Sequence, residues 1–192
     1  MLFKLCGALC LMATFAVHAV EYGTVLVDRS QVTFTSKQMG VPVEGRFPKF
    51  AAAIYFDPAK PETGHGKFEL DMAAADGGSS EANDELKTKS WFNVREFPAA
   101  TFVAEPNSVR TLGNNRFEAK GRMTIKGKAR DVVVPFTYKP DGASAVLEGI
   151  IPVLRTQYGV GDGIWADTSV VADEVPVKFR FVVAPVAAKT TK

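Results

Sequence analysis

The sequence predicts an all-β protein, an antiparallel up-and-down barrel of about eight strands covered by one short lid helix. Period-two alternation runs through most of the chain, and turn residues punctuate the breaks between runs. A single charged segment with helical spacing interrupts that pattern and leads into aromatic residues.

The chain opens on a secretory signal. In residues 1–19, Lys4 supplies the positive end, residues 5–17 an apolar stretch, and Val17-His18-Ala19 a small-residue cleavage site. The apolar stretch, about 13 residues, is shorter than the ~20 a membrane span requires. The mature protein is therefore expected to start at Val20 and to reside in the periplasm or outside the cell. Cys6 and Cys10 both fall in the signal, which leaves no disulfide, thiolate ligand or cysteine nucleophile. Lys4 is the only formal charge removed with it, so the net charge falls from +2 to +1, too near neutrality to indicate nucleic acid. About 173 residues remain, enough for one domain with its own core, expected over residues 20–184. The small, polar tail that follows, residues 185–192, is expected to fray.

The strands follow in order. Val32, Phe34 and Ser36 alternate with Thr33, Thr35 and Lys37; Phe68, Leu70 and Met72 alternate with Lys67, Glu69 and Asp71. Phe117, Ala119, Gly121, Met123 and Ile125 share one face of a third run, and Val175, Val177, Phe179, Phe181 and Val183 one face of the last. Further runs at 43–56, 99–111, 131–139 and 145–154 bring the total to about eight. Asp57-Pro58, Gly64, Gly113-Asn114-Asn115, Lys126-Gly127-Lys128 and Pro140-Asp141-Gly142 mark turns. A two-sheet sandwich would show the same alternation. The length of several runs favours a barrel able to hold side chains or one small ligand.

The helix is expected to start at Ser80 as N-cap, with Glu81, Asp84 and Glu85 early and Lys87 and Lys89 late, complementing the helix dipole. Its apolar stripe of Ala82, Leu86 and Ser90 is thin. Anchoring of the lid therefore falls to the downstream aromatics Trp91, Phe92, Phe97 and Phe102, which either line a pocket or plug one barrel end. Phe34, Phe56, Met123 and Phe179 lie on apolar strand faces that either fill the barrel or leave a slot.

Catalytic and metal chemistry find little support. His65 is the one histidine of the mature chain and sits in a Gly-His-Gly turn. The pairs Asp71/Asp76 and Asp162/Asp167 occupy turn-rich or alternating sequence, as solvated carboxylates do. No nucleophile elbow, P-loop or dinucleotide fingerprint occurs, so no catalytic residue, metal or cofactor is assigned. The basic run Lys120, Arg122, Lys126, Lys128 and Arg130 reads as a solvated strand face, or as a patch making transient contact with an anionic membrane surface.

Four stretches, in order, resemble the YceI-like family of lipid- and polyisoprenoid-binding proteins. These are Ser30 to Phe34 continuing through Met39-Gly40-Val41-Pro42-Val43-Glu44-Gly45-Arg46-Phe47; Leu86-Lys87, Trp91-Phe92-Asn93-Val94 and Phe97-Pro98; Gly121 to Gly127 followed by Val132-Val133-Val134-Pro135; and Arg155 to Gly161 with Val175-Pro176-Val177. The resemblance implies a lipocalin-like barrel enclosing an isoprenoid tail, carried or sequestered in the periplasm, under a lid formed by the segment from Asp84. It implies a ligand-binding set of Phe34, Phe56, Leu86, Trp91, Phe92, Phe97, Phe102, Met123 and Phe179, with Arg155 and Tyr158 at the head group of a quinone or prenyl phosphate. An ordinary surface salt bridge is the alternative for Arg155. A homodimer is compatible with the same resemblance, and an enzyme acting on a hydrophobic substrate in the cavity, or a ligand-free envelope scaffold, is its alternative. Arg29 and Gln38 stand where many members carry histidine, so histidine there is not required. At about 0.8 kcal/mol per buried carbon, one five-carbon unit contributes on the order of 4 kcal/mol. A few units overcome association costs of about 4–15 kcal/mol without any charged contact.

Overall fold

Eleven strands and one α-helix succeed one another in the computed structural model, which describes residues 20–186. The expected signal, residues 1–19, and the tail residues 187–192 lie outside the described residues. The strands are β1 (Tyr22–Val25), β2 (Gln31–Gln38), β3 (Val41–Arg46), β4 (Phe50–Tyr55), β5 (His65–Asp71), β6 (Ala99–Ala104), β7 (Val109–Gly113), β8 (Arg116–Ile125), β9 (Lys128–Asp141), β10 (Ser144–Leu154) and β11 (Glu174–Pro185). The helix α1 (Ser80–Lys87) lies between β5 and β6.

The count exceeds the expected eight for local reasons. The run at 43–56 breaks at Phe47-Pro48-Lys49 into β3 and β4, and the run at 99–111 breaks around Pro106 into β6 and β7. Proline has no N–H to give a ladder, so each break falls where a bond would be missing. The short β1 precedes the first run counted.

All pairings are antiparallel, in the order β3-β2-β11-β10-β9-β8-β6-β5-β4, with β1 beside β11 and β7 beside β8. The two end strands, β3 and β4, are consecutive in the chain, so the sheet curls until its edges are one bent strand. Phe47 N donates to Val32 O at 2.9 Å, extending the β2–β3 ladder into the bend, and Tyr22 and Phe56 exchange both backbone bonds at 2.9 Å, which joins β1, itself paired with β11, to the end of β4. Up-and-down order and curl together make the expected barrel.

Two-residue turns set the register of three hairpins. Met39-Gly40, Asn114-Asn115 and Lys126-Gly127 all have positive φ at both positions, the left-handed pair whose twist matches that of the flanking strands. Inside the barrel, glycine lets aromatic rings lie directly on a neighbouring strand. A Cβ at Gly45, Gly121 or Gly149 would overlap the rings of Phe34, Phe102 and Phe179 respectively.

The core divides into two halves. At the end carrying β1, Phe56 meets Phe117 edge-on at 5.0 Å, Phe117 stacks on Phe136 at 5.5 Å, Phe68 on Phe102 at 5.4 Å and Phe179 on Phe181 at 5.0 Å. This packing leaves a void of only about 80 Å³. The opposite half, under α1, is hollow.

Two expectations need correcting. The N-cap of α1 is Ser79, not Ser80: Ser79 has extended backbone and its hydroxyl accepts from Ala82 N at 3.2 Å, whereas Ser80 is already helical. Pro185, expected to fray with the tail, instead pairs with Tyr22 at the end of β11, and Val186 N donates to Glu21 O at 2.7 Å.

Candidate functional site

The hollow half encloses a cavity of about 470 Å³, within the range of small-molecule sites. Its walls are inward positions at the lid ends of the strands: Phe34, Leu70, Ala100, Met123, Val153 and Val177. Alternation places these side chains inside, and Ala100, the smallest of them, leaves part of the space unfilled. Above them, Leu86 from α1 and Trp91 and Phe92 from the turns that follow face down, while Trp165 closes the side.

Two latches hold this roof. Trp165 Nε1 donates to Glu85 Oε1 at 2.7 Å, tying the 155–173 loop to the helix, and the Trp91 and Trp165 rings lie 5.8 Å apart. Lys126, in the β8–β9 turn, reaches in to the carbonyls of Ser90 at 3.3 Å and Gly159 at 2.5 Å and to the Asp162 carboxylate at 3.2 Å. Its side chain is only 10% exposed, so one ammonium clamps lid, loop and barrel together. Ahead of the helix, Asp76 is bonded by Gly78 N, Arg46 and Asn83; these contacts, the Gly78 amide first, hold its carboxyl below the ordinary aspartate range. Replacing Glu85 with alanine removes the first latch and one of the two carboxylates on the cavity lining. A net hydrogen-bond contribution of about 1–1.5 kcal/mol corresponds to a roughly five- to tenfold more frequent opening of the 155–173 loop, readable by amide hydrogen exchange.

Of the residues singled out from the sequence, Phe34, Leu86, Trp91, Phe92, Met123 and Arg155 border this cavity. Phe56, Phe102 and Phe179 do not; they belong to the aromatic packing around the small void. Ala100 and Phe102 share the inward face of β6, but Ala100 lies at the lid end, and Phe102 sits opposite Phe68 one layer deeper. Phe97 is half-buried against Gly127 of the β8–β9 turn, outside the cavity. Tyr158 is buried in the 3-10 turn that follows β10, where burial pushes its hydroxyl pKa up.

Arg155 takes neither role expected of it. The residue is 2% exposed, and its guanidinium donates to five carbonyls: Ala172 at 3.1 Å, Val160 at 3.0 Å, Gly161 at 2.8 Å, Trp165 at 2.9 Å and Val171 at 2.6 Å. A guanidinium has five N–H donors, so none remains for a head group. Burial lowers its pKa, opposed by nearby Asp173, and the side chain acts as the hub of the 155–173 loop. Trp91 Nε1, by contrast, is buried with no partner.

Trp165 is the cavity residue that sequence reading missed. The available signal was a large aromatic in the turn-rich run Gly161-Asp162-Gly163-Ile164-Trp165, where a bulky ring needs cover. The solvated-carboxylate reading of Asp162 and Asp167 holds, since both residues are exposed. Asp162 pairs with Lys126, and Asp167 accepts from Ser169 N and Oγ at 2.8 and 2.7 Å, which hold its carboxyl below the ordinary range. Apart from Arg155, the charged groups on the cavity lining are Glu81 and Glu85. His65 stands at the opposite barrel end, stacked on Tyr55 at 5.2 Å. Among the described residues, no three His, Cys, Asp or Glu side chains converge as a metal site.

A family model for the YceI-like domain matches residues 24–183. A curated relative from Azotobacter vinelandii, a UPF0312 protein, is 30% identical over 98 residues, covering 51% of this chain and 50% of its own length. Another UPF0312 protein, from Shewanella denitrificans, is 29% identical over 139 residues, 70% of each chain. This chain thus spans between half and 70% of the length of these two relatives. Among solved structures, BcnA of Burkholderia cenocepacia is 43% identical with a TM-score of 0.80, over 83% of this chain and 99% of BcnA. A polyisoprenoid binding domain from Saccharophagus degradans shares the fold at 14% identity, with a TM-score of 0.62 over 88% of this chain and 100% of that domain.

Proposed function

We propose, since the chain belongs to the YceI-like family, that it is an exported, periplasmic or secreted, carrier or sequestering protein that holds an isoprenoid-type lipid in the cavity beneath α1. The carrying observation is a latched, predominantly apolar cavity of about 470 Å³ in a barrel whose other half is solidly packed. A prenyl tail fits such a wall. Each buried five-carbon unit contributes on the order of 4 kcal/mol, and no charged contact is needed to hold it. The neighbour from Saccharophagus degradans is itself described as a polyisoprenoid binding domain, which supports the same ligand class here.

The lining also discriminates between head groups. Glu81 and Glu85 border the cavity, and the guanidinium of Arg155 is fully engaged. A phosphate there would face exposed Glu81 and half-buried Glu85 with no free cation on the lining to pair with, which is unfavourable. A neutral head group, such as a quinone ring, fits better than a prenyl phosphate.

Thermal unfolding tests this directly. A short-chain prenylated quinone at about a hundredfold excess over its Kd stabilises by about 2.7 kcal/mol, a rise in Tm of roughly 5–10 °C. Farnesyl phosphate is expected to give a smaller shift. No shift from either would contradict the lipid-binding reading, and a larger shift from farnesyl phosphate would contradict the neutral head group.

A further inference from the structure

The cavity end of the barrel exposes four apolar side chains to solvent. Met39 is 79% exposed, Val41 63%, Ile164 86% and Val170 39%. They come from three separate segments brought together at one rim. Met39 N donates to Val170 O at 2.8 Å, and Gln38 bridges to Val171. Ile164 precedes Trp165, whose carbonyl shares one Arg155 nitrogen with that of Val171. Gln38 and Trp165, the immediate neighbours of Met39 and Ile164, line the cavity, so the tips stand around its mouth. Exposed apolar groups clustered in this way mark a contact surface.

The geometry points to a lipid bilayer as the occupant: we propose that the chain docks by inserting the tips Met39, Val41, Ile164 and Val170 into the bilayer, and that its basic residues are not the docking element. The choice of occupant rests on the lipid-binding reading above, because a prenyl lipid reaches this mouth from a membrane. A second copy of the chain fits the rim poorly. At about 100 Å² per side chain, four tips offer on the order of 400 Å², half the ~800 Å² per partner of a stable interface.

Electrostatic docking through the basic run fits poorly too. Arg122 pairs with Asp131 at 2.9 Å, Lys126 is enclosed by the lid contacts, and Arg130 donates to the carbonyls of Ala129 and Gln157, which leaves Lys120 and Lys128 as the exposed members of the run without a side-chain partner among the described residues. The rim itself carries charges of both signs, Asp162 and Asp167 together with exposed Lys37, whose carbonyl accepts from Ala172 N. Binding should therefore depend on apolar insertion and vary little with salt.

Vesicle flotation tests the proposal, with neutral phosphatidylcholine vesicles and vesicles containing anionic phosphatidylglycerol, each at low and high salt. The wild type is expected to float with both, nearly independently of salt. The double variant Met39→Asn, Ile164→Ser is expected to lose about tenfold or more of its partitioning. Asparagine tolerates the left-handed backbone at Met39, so the hairpin turn is preserved. Neither side chain lines the cavity, so the quinone-induced rise in Tm should be unchanged in the variant.

A wild type that does not float overturns the proposal. So does binding that requires anionic lipid and vanishes in salt, or a variant that floats as well as wild type. A wild-type dimer in sedimentation velocity that the double variant dissociates would assign the rim to a second copy and overturn it as well. The Tm shift reports separately on the lipid-binding reading. A shift without flotation contradicts docking alone, and flotation without a shift contradicts the ligand alone.

Discussion

Substituting methionine for Arg155 is expected to cost about 3–5 kcal/mol of stability, lowering Tm by roughly 10 °C, although the residue borders the cavity beneath α1. The charge it removes is not paired with one carboxylate. It satisfies the carbonyls of Val160, Gly161, Trp165, Val171 and Ala172 at once, and methionine leaves these partly buried acceptors orphaned. Lysine is expected to rescue little, since an ammonium has three donors and no fork geometry. The 160–172 loop should open first, seen as faster amide hydrogen exchange there than in β10 or β11. Were Arg155 a head-group ligand instead, the same substitution would weaken lipid binding while Tm barely moved.

Filling the cavity should have the opposite signature. Ala100 lies on the inward face of β6, 2% exposed, at the lid end of the barrel. Phenylalanine there places a ring in space a lipid tail would otherwise occupy, next to Met123 and Phe92. Lipid affinity is expected to fall by about a hundredfold, the equivalent of about 2.7 kcal/mol of lost tail burial. Stability should hold or rise, because the ring fills a void rather than displacing packed atoms. Titration of a fluorescent prenyl ligand, set beside the melting curve, separates the two effects. Unchanged affinity would mean that the ligand lies elsewhere.

The strands were legible because period-two alternation is local and survives burial on one face. The hairpin at Asn114-Asn115 was legible for the same reason, since the turn residues announce their own backbone conformation. The break between β3 and β4 was written in Pro48, but apolar residues continue on both sides of it and hid the bend. Distinguishing cavity from plug was beyond periodicity. Ala100 and Phe102 obey the same alternation, and only the register of β6 against β5 decides which lies under the lid and which stacks on Phe68.

The role of Arg155 left no sequence trace, because its partners are backbone carbonyls, which every residue has. Trp165 was hidden by distance along the chain: its contact with Glu85 spans 80 residues. The thin stripe of α1 contributes Ala82 and Leu86 to the cavity lining, and residues outside the helix help to hold the lid. Trp91 and Phe92 do part of that work, whereas Phe97 turns away toward Gly127 and the clamp on the lid is Lys126, a residue read from the sequence only as part of a basic face.

On the proposed reading, an isoprenoid-type lipid occupies the lidded cavity. Lipid mass spectrometry of the protein purified without detergent, wild type and Ala100→Phe side by side, tests it most directly. The expected result is a prenyl lipid recovered in near-stoichiometric amount from wild type and largely absent from the variant. Recovery of the same lipid in equal amounts from both, or of no prenyl lipid from wild type, would contradict it.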